Sequence, residues 1–270
     1  MKKYHKILIG LIIIFLFFSI WQNNDLVITR YTYSSNKITK EIEGYRIVQI
    51  SDLHNKRFGK NQSRILKAIS KENPDIIAVT GDLVDSNHTN MDVAMEFMEG
   101  ASKIAPVYYV TGNHENWLSD EDKQKLIEEL LQKGIVVLNN ETVEISCGTE
   151  SFLIVGLADE NLGDDTLHNL IEETNKEFVL LLAHEPQYIE RYSSEKVDLV
   201  LAGHAHGGQV RIPFIGGLVA PDQGFFPKYT SGRHEMSDTT MFISRGLGNS
   251  IIPIRVFNRP EIVCVTLKMN

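Results

Sequence analysis

The chain has 270 residues, 43% of them hydrophobic and 23% charged, with two cysteines and a formal net charge of −8. That length suits one large α/β domain, and two widely spaced cysteines exclude a disulfide scaffold and any C-x-x-C metal or redox site. Charge is divided unevenly: residues 1–30 carry a net of +3 and the remainder a net of −11. An acidic body without a Lys/Arg stripe repels a phosphate backbone, which argues against nucleic acid as a partner.

Lys2, Lys3 and Lys6 precede an apolar run from Ile7 to Ile20, broken only by Gly10 and Ser19 and followed by Trp21. A basic start before an apolar stretch is the layout of a signal peptide or a signal anchor. The run is short against the ~20 residues that a full span prefers. Gln22, Asn23, Asn24 and Asp25 offer neither a small-x-small cleavage site nor a cysteine to accept a lipid. We read residues 1–25 as an uncleaved, single-pass anchor with its basic end inside. The body then lies on the extracytoplasmic side of the cell membrane. Residues 26–43 read as a linker or an edge strand, and residues 44–270 as the α/β body.

From Tyr45 onward, strand and helix patterns alternate. Helices are expected over Asn61–Lys71, Thr89–Ile104, the stretch after the Ser119/Asp122 capping box, Thr166–Thr174 and Pro186–Tyr192. Gly134 is placed to end the third of these. Beyond Gln209 the pattern turns to strands and Gly/Pro loops, ending with Ile262–Lys268. Cys147 and Cys264 fall in or beside predicted strands and read as core thiols.

Five apolar runs each end in a polar cluster. YRIVQI leads to Ser51-Asp52-Leu53-His54, DIIAVT to Gly81-Asp82, and VYYVT to Gly112-Asn113-His114-Glu115. FVLLLA leads to His184-Glu185-Pro186 and VDLVLA to Gly203-His204-Ala205-His206. Runs of this length read as strands buried on both faces, and loops at the carboxyl ends of such strands are where ligands bind. Five of the nine histidines of the chain sit in these loops. Any one of them, alone, is more often a hydrogen-bonded structural histidine; an ordered set with Asp and Asn is a metal site. Imidazole with carboxylate and amide oxygen suits Mn, Zn or Fe.

The set resembles the calcineurin-like metallophosphoesterases, whose pattern D-x-H, G-D, G-N-H-E, a lone His and G-H-x-H occurs here in order between Asp52 and His206. Gly203–Gln209, Arg211, Pro213 and Phe214 are similar to the membrane-associated bacterial branch. So is the tail Ser244–Gly248 with Pro253, Arg255 and Pro260-Glu261-Ile262. That branch includes UDP-diacylglucosamine pyrophosphatase-like enzymes. The resemblance implies a four-layer α/β/β/α sandwich holding two divalent metal ions. By it, Asp52, His54 and His206 would bind one ion, Asn113, His184 and His204 the other, and Asp82 would bridge them. His114, with no ligand position left, would be the catalytic residue, as general acid or as a stabiliser of phosphoryl oxygens. Arg245 and Asn249 are candidates for substrate contact. The implied activity is hydrolysis of a phosphodiester or pyrophosphate, in a small-molecule or lipid-linked substrate, by a metal-bridged hydroxide. The alternative is a catalytically idle cell-surface or cell-wall-binding protein that keeps the metal fold. Amidohydrolases and metallo-β-lactamase-like enzymes need an early H-x-H, and the H-x-H here is late.

Overall fold

All five apolar runs become strands whose two faces are both buried. The computed structural model describes residues 2–159, 165–172, 177–250 and 253–270. Helix α1 spans Lys2–Asn24 and is followed by β1, Val27–Ser35. Strands β2 (Arg46–Ile50), β3 (Ile76–Thr80), β4 (Val107–Val110) and β5 (Val136–Val137) alternate with helices α2 (Ser63–Glu72), α3 (Met91–Ser102), α4 (Asn113–Asn116) and α5 (Asp120–Gln132). The second half holds β6 (Glu141–Cys147), β7 (Glu150–Gly156), α6 (Thr166–Glu172), β8 (Val179–Leu182), α7 (Ile189–Ser194) and β9 (Leu199–Ala202). Four two-residue strands follow: β10 (Arg211–Ile212), β11 (Gly216–Gly217), β12 (Val219–Ala220) and β13 (Gly224–Phe225). The chain closes with β14 (Gly232–Met236), β15 (Thr239–Ile243) and β16 (Glu261–Met269).

Two six-stranded sheets form, ordered β1-β16-β2-β3-β4-β5 and β14-β15-β9-β8-β7-β6. Strands β2 to β5 run parallel, as do β7, β8, β9 and β15. Side chains alternate along each strand, so β2 sends Ile47 into the layer between the sheets and Val48 and Ile50 to the other side. Between the sheets, Ile47, Ala78, Val110, Phe152, Leu180, Leu201, Phe242 and Val263 share one core. The outer face of the first sheet packs on Ile65 and Ile69 of α2, Phe97 and Met98 of α3, and Leu126 and Leu130 of α5. On the second sheet, Leu181, Val200 and Met241 pack on Leu167 of α6 and on Ile189 and Tyr192 of α7. The result is the four-layer α/β/β/α sandwich. Cys147 and Cys264 are free and buried in it.

The Ser119 hydroxyl caps α5 by accepting from Asp122 N at 3.1 Å, and Gly134, at φ +75°, follows its end. Helix α2 starts two residues later than its periodicity suggests. The buried Gln62 side chain accepts from Phe58 N and donates to Lys56 O, which holds Asn61 and Gln62 in left-handed conformations before the helix can begin. The end of the helix expected over Thr166–Thr174 lies outside the described residues. Residues 27–35 form an edge strand, pairing in parallel with β16 from Val27–Glu261 to Ser35–Met269. Among the described residues α1 alone is long and apolar enough to cross a membrane. Its 21 residues from Tyr4 to Asn24 exceed the apolar run because the polar turn after Trp21 stays helical. At 1.5 Å per residue this segment is about 31 Å long, the thickness of a hydrocarbon core.

Candidate metal centre

Because the parallel strands of both sheets end at one edge of the sandwich, the five motif loops converge there. Asp52 and His54 follow β2, Asp82 follows β3, and Asn113 and His114 follow β4. His184 follows β8, and His204 and His206 follow β9. All eight are buried. Asp52, His54, Asp82, His204 and His206 have left-handed backbones, with φ between 44° and 63°. Such positions cost energy for residues with a side chain and concentrate at functional sites. Here they turn the chain sharply at the strand end and aim each side chain into a shared cleft. Two glycines make the crowding possible. A Cβ on Gly81 (φ +83°) would lie 2.4 Å from His184 Nδ1, and one on Gly203 would lie 1.8 Å from Ser51 Oγ.

The loops are locked to one another across the sheets. The buried Gln49 amide donates to Thr80 Oγ1 and Ala202 O, joining β2, β3 and β9. His204 N donates to Asp52 Oδ1 at 2.9 Å, and His114 N to Asp82 Oδ1 at 2.9 Å. His184 Nδ1 donates to Thr80 O at 2.8 Å, which points its Nε2 into the cleft. Glu115 accepts from Asp82 N, Gly112 N and Val84 N at 2.7–3.1 Å and so clasps the second and third loops together. Its motif position was visible in the sequence, but this role was not.

Two donor groups in the cleft, Asp52–His54–Asp82–His206 and Asp82–His184–His204, are buried throughout, each with its atoms within 4.8 Å of one another; His54–Asp85–His114 and Glu185–His204–Asp222 reach the same spacing with a less buried carboxylate. Asp82 belongs to both buried groups. Asn113 Oδ1 joins the second, 3.1 Å from His184 Nε2 and 2.9 Å from His204 Nδ1. In the first, the Nε2 atoms of His54 and His206 meet at 3.2 Å. Burial pushes His54 and His204 down to about 4 and His206 well below its usual range, so these rings present neutral nitrogens. Burial also pushes Asp52 up to about 6, and its Oδ2 has no hydrogen-bond partner at all. Burial opposes ionisation of Asp82 too, but His184 and His54 outweigh it and hold that carboxyl well below the ordinary range. Neutral imidazoles, an orphaned buried carboxylate oxygen and a shared carboxylate fit divalent cations.

His114 stands beside the first group, its ring centroid 4.5 Å from that of His54. The backbone N–H of Ser86 donates to its Nδ1 at 3.1 Å, and Asp85 lies farther off, at 3.9 Å. Nδ1 thus carries the lone pair and Nε2 the proton, which reaches Ser250 Oγ at 3.1 Å. Both groups open into a cavity of about 580 Å³, walled by Trp117 and Tyr188 and by the carboxylates of Asp159, Glu185 and Asp222. Burial, then the adjacent Asp159, pushes Glu185 up to about 8. Asp222, whose Oδ2 is 3.1 Å from His204 Nε2, and Ser250 sit in Gly/Pro-rich stretches that carry no motif, so the sequence reading passed over them.

Arg245 and Asn249 are engaged away from this cavity. Arg245 pairs with Glu261 at 3.0 Å. Asn249 accepts from Arg255 Nε at 3.0 Å and donates to Asn23 Oδ1 at 2.9 Å. Arg255, fully buried, also donates to the carbonyls of Arg245 and Gly248, so this tail forms a clamp behind the first loop.

Residues 45–208 match the family model described as calcineurin-like phosphoesterase, a stretch that contains all eight residues of the cleft. The chain belongs to the calcineurin-like phosphoesterases. Like that family, it is a metal-dependent ester hydrolase that binds divalent ions. The phosphodiesterase YaeI of Escherichia coli is 30% identical, over 83% of this chain and 82% of its own. The metallophosphoesterase YkuE of Bacillus subtilis is 28% identical, over 89% and 85%. A transmembrane protein with a metallophosphoesterase domain from Danio rerio is 28% identical, over 86% of this chain and 55% of its own. This phosphoesterase likewise pairs an apolar helix with the catalytic fold.

Proposed function

We propose that the protein is a membrane-anchored, two-metal phosphoesterase that cleaves a phosphodiester or a substituted pyrophosphate. The observation that carries this reading is the position of Asp82, common to two buried donor groups. Asp52, His54 and His206 hold one ion, Asn113, His184 and His204 the other, and the Asp82 carboxylate bridges them and screens their repulsion. Mn, Zn and Fe all suit this donor set. The pair of ions supplies Lewis acidity, an acidified water and charge neutralisation at phosphorus. His114 directs its Nε2 proton at a phosphoryl oxygen in place of Ser250 Oγ. Trp117 and Tyr188 flank the substrate, and the fixed loops exclude bulk water.

Charge favours the diester class. Among the described residues lining the cavity there is no Lys or Arg, whereas four, Asp82, Asp159, Glu185 and Asp222, are carboxylic acids. A monoester carries close to two negative charges at neutral pH, and a diester or substituted pyrophosphate one per phosphorus. Asp159 and Asp222 accept hydrogen bonds from hydroxyl or ammonium groups beyond the phosphate, and Glu185, pushed up to about 8, carries a proton at neutral pH that it can donate. We assign residues 1–25 to a membrane anchor, residues 26–43 to the edge of the sandwich, and residues 44–270 to the catalytic domain on the extracytoplasmic side. Metal analysis of the purified chain, with rates on an aryl phosphodiester, an aryl monoester, a nucleotide-sugar pyrophosphate and a lipid-linked phosphate, tests the reading. Two ions per chain and a diester or pyrophosphate rate above the monoester rate are expected. One ion, or a monoester preference, refutes it.

A further inference from the structure

The described surface away from α1 carries a group of apolar side chains with no use in the metal cleft. At the tip of the β10–β11 hairpin, Pro213, Phe214 and Ile215 connect Ile212 to its pairing partner Gly216. Phe214 is 109% exposed and Ile215 65% exposed. Phe214 also has a left-handed backbone, at φ 67°. A large apolar side chain held out on a strained turn gains nothing from its own protein, and such exposure in a cluster marks a surface that is covered in use. Phe257 lines the same shallow cavity as Phe214 and Ile215, and Val256 tethers it to the hairpin by accepting from Arg211 N at 2.9 Å.

The position of Phe257 decides what covers this surface. Its ring packs edge-on against Phe18 of α1, with centroids 5.5 Å apart. Phe18 lies three residues inside Trp21, about 4–5 Å deeper along the helix axis. Trp21, at the end of the apolar run, has the Arg259 guanidinium 5.3 Å from its ring centre. Lys56, which burial pushes down to about 7, donates to Asn23 O, Arg64 donates to Asn24 O at 3.1 Å, and Arg259 pairs with Asp25, so basic side chains gather around the last turn of α1. Trp and Lys/Arg at a helix end are the signature of the headgroup layer. If this turn sits among headgroups, Phe257 is at the depth of the acyl chains, and the hairpin beside it is there too.

We propose that the hairpin tip Phe214–Ile215, with Phe257, is a second bilayer contact, inserted into the leaflet beside α1 and setting the tilt of the catalytic domain on the membrane. This rests on α1 being a membrane-crossing anchor. The occupant is the lipid surface: apolar acyl chain against the aromatic tip, anionic headgroup against Arg64 and Arg259.

The test uses the full chain in nanodiscs of phosphatidylcholine and phosphatidylglycerol. A polarity-sensitive dye is placed on single cysteines at Phe214→Cys, Leu11→Cys and Glu150→Cys; the native cysteines are buried. Emission is read with and without lipids bearing a nitroxide high on the acyl chain. The dye at 214 should shift to the blue and lose intensity to the nitroxide, as the dye at 11 does, while the dye at 150 does neither. A dye at 214 that behaves like the one at 150, with quenching retained at 11, overturns the second contact and leaves the anchor standing. Loss of quenching at 11 and 214 together overturns both. Equal quenching at all three positions is partitioning of the dye and also overturns the proposal.

Discussion

At His114 one hydrogen bond gives a way to test the two roles that the sequence leaves open. A general acid at Nε2 needs a ring that carries both protons before transfer. The Ser86 N–H donating to Nδ1 removes that option unless the contact breaks. We therefore expect His114→Gln to slow turnover by about 10²–10³-fold, the scale of a lost oxyanion donor. The deficit should be equal for nitrophenolate and alkoxide leaving groups and metal content unchanged. A deficit confined to poor leaving groups restores the general acid, and loss of a metal equivalent makes His114 a ligand. His184 gives a second test. Burial lowers its pKa, but Asp82 at 3.3 Å outweighs that and holds the ring protonated well above the usual range in the metal-free site. A pKa raised on folding stabilises the metal-free fold fully below the unfolded value of the group, and the benefit is lost as pH rises through the folded value. Ligation needs the neutral ring, so loading at neutral pH should release roughly one proton per chain. Calorimetry of metal binding in buffers of different ionisation heat reads this directly. A heat independent of buffer sinks the idea.

At the level of elements, α1 is tied to the metal cleft. Gln22 is buried, and its Oε1 accepts from Asn258 N at 3.1 Å, while the Asn258 side chain donates to His206 O at 2.7 Å. The end of α1 is thus two hydrogen bonds away from a candidate ligand. Deleting residues 1–25 leaves β1 intact, so the remaining domain should fold, keep its metals and hydrolyse a soluble diester. Losing the Gln22 bond should cost about 0.5–1.5 kcal/mol, visible as a lower denaturant midpoint. Aggregated or metal-free protein would place α1 in the core instead. This also shows what the sequence can carry. The five strands and their loops were legible because buried strands read as uninterrupted apolar runs and the ligands follow them directly. The start of α2 was not, because Gln62 satisfies backbone groups that lie four and six residues before it. Asp222, Ser250 and the packing of Phe257 on Phe18 depend on chain returns of tens to hundreds of residues, for which local periodicity has no signal.

The whole molecule is two sheets that share a hydrophobic layer along most of their length and a polar cleft at one edge. At that edge apolar burial gives way to five histidines and the carboxyl groups of Asp52, Asp82 and Glu115, all buried, an arrangement that costs stability unless each charge is matched. In the proposed two-metal reading, bound cations would meet that requirement and join loops from both sheets, β2–β4 on one side and β8–β9 on the other. They should therefore stabilise the fold as a ligand does, by about 4 kcal/mol at a free metal concentration a thousandfold above Kd. For a domain of this size each kcal/mol moves the unfolding midpoint by roughly 2–4 °C. Chelation should thus lower the midpoint by about 8–16 °C, and restored Mn or Zn should recover it. Asp82→Ala, which removes the residue common to both groups, should abolish activity, bind fewer than two ions and show little shift with chelator. If the chelated protein melts where the loaded one does, the ions contribute nothing to holding the sheets together. The closure of the cleft then rests on Gln49, Glu115 and the crossed backbone bonds alone.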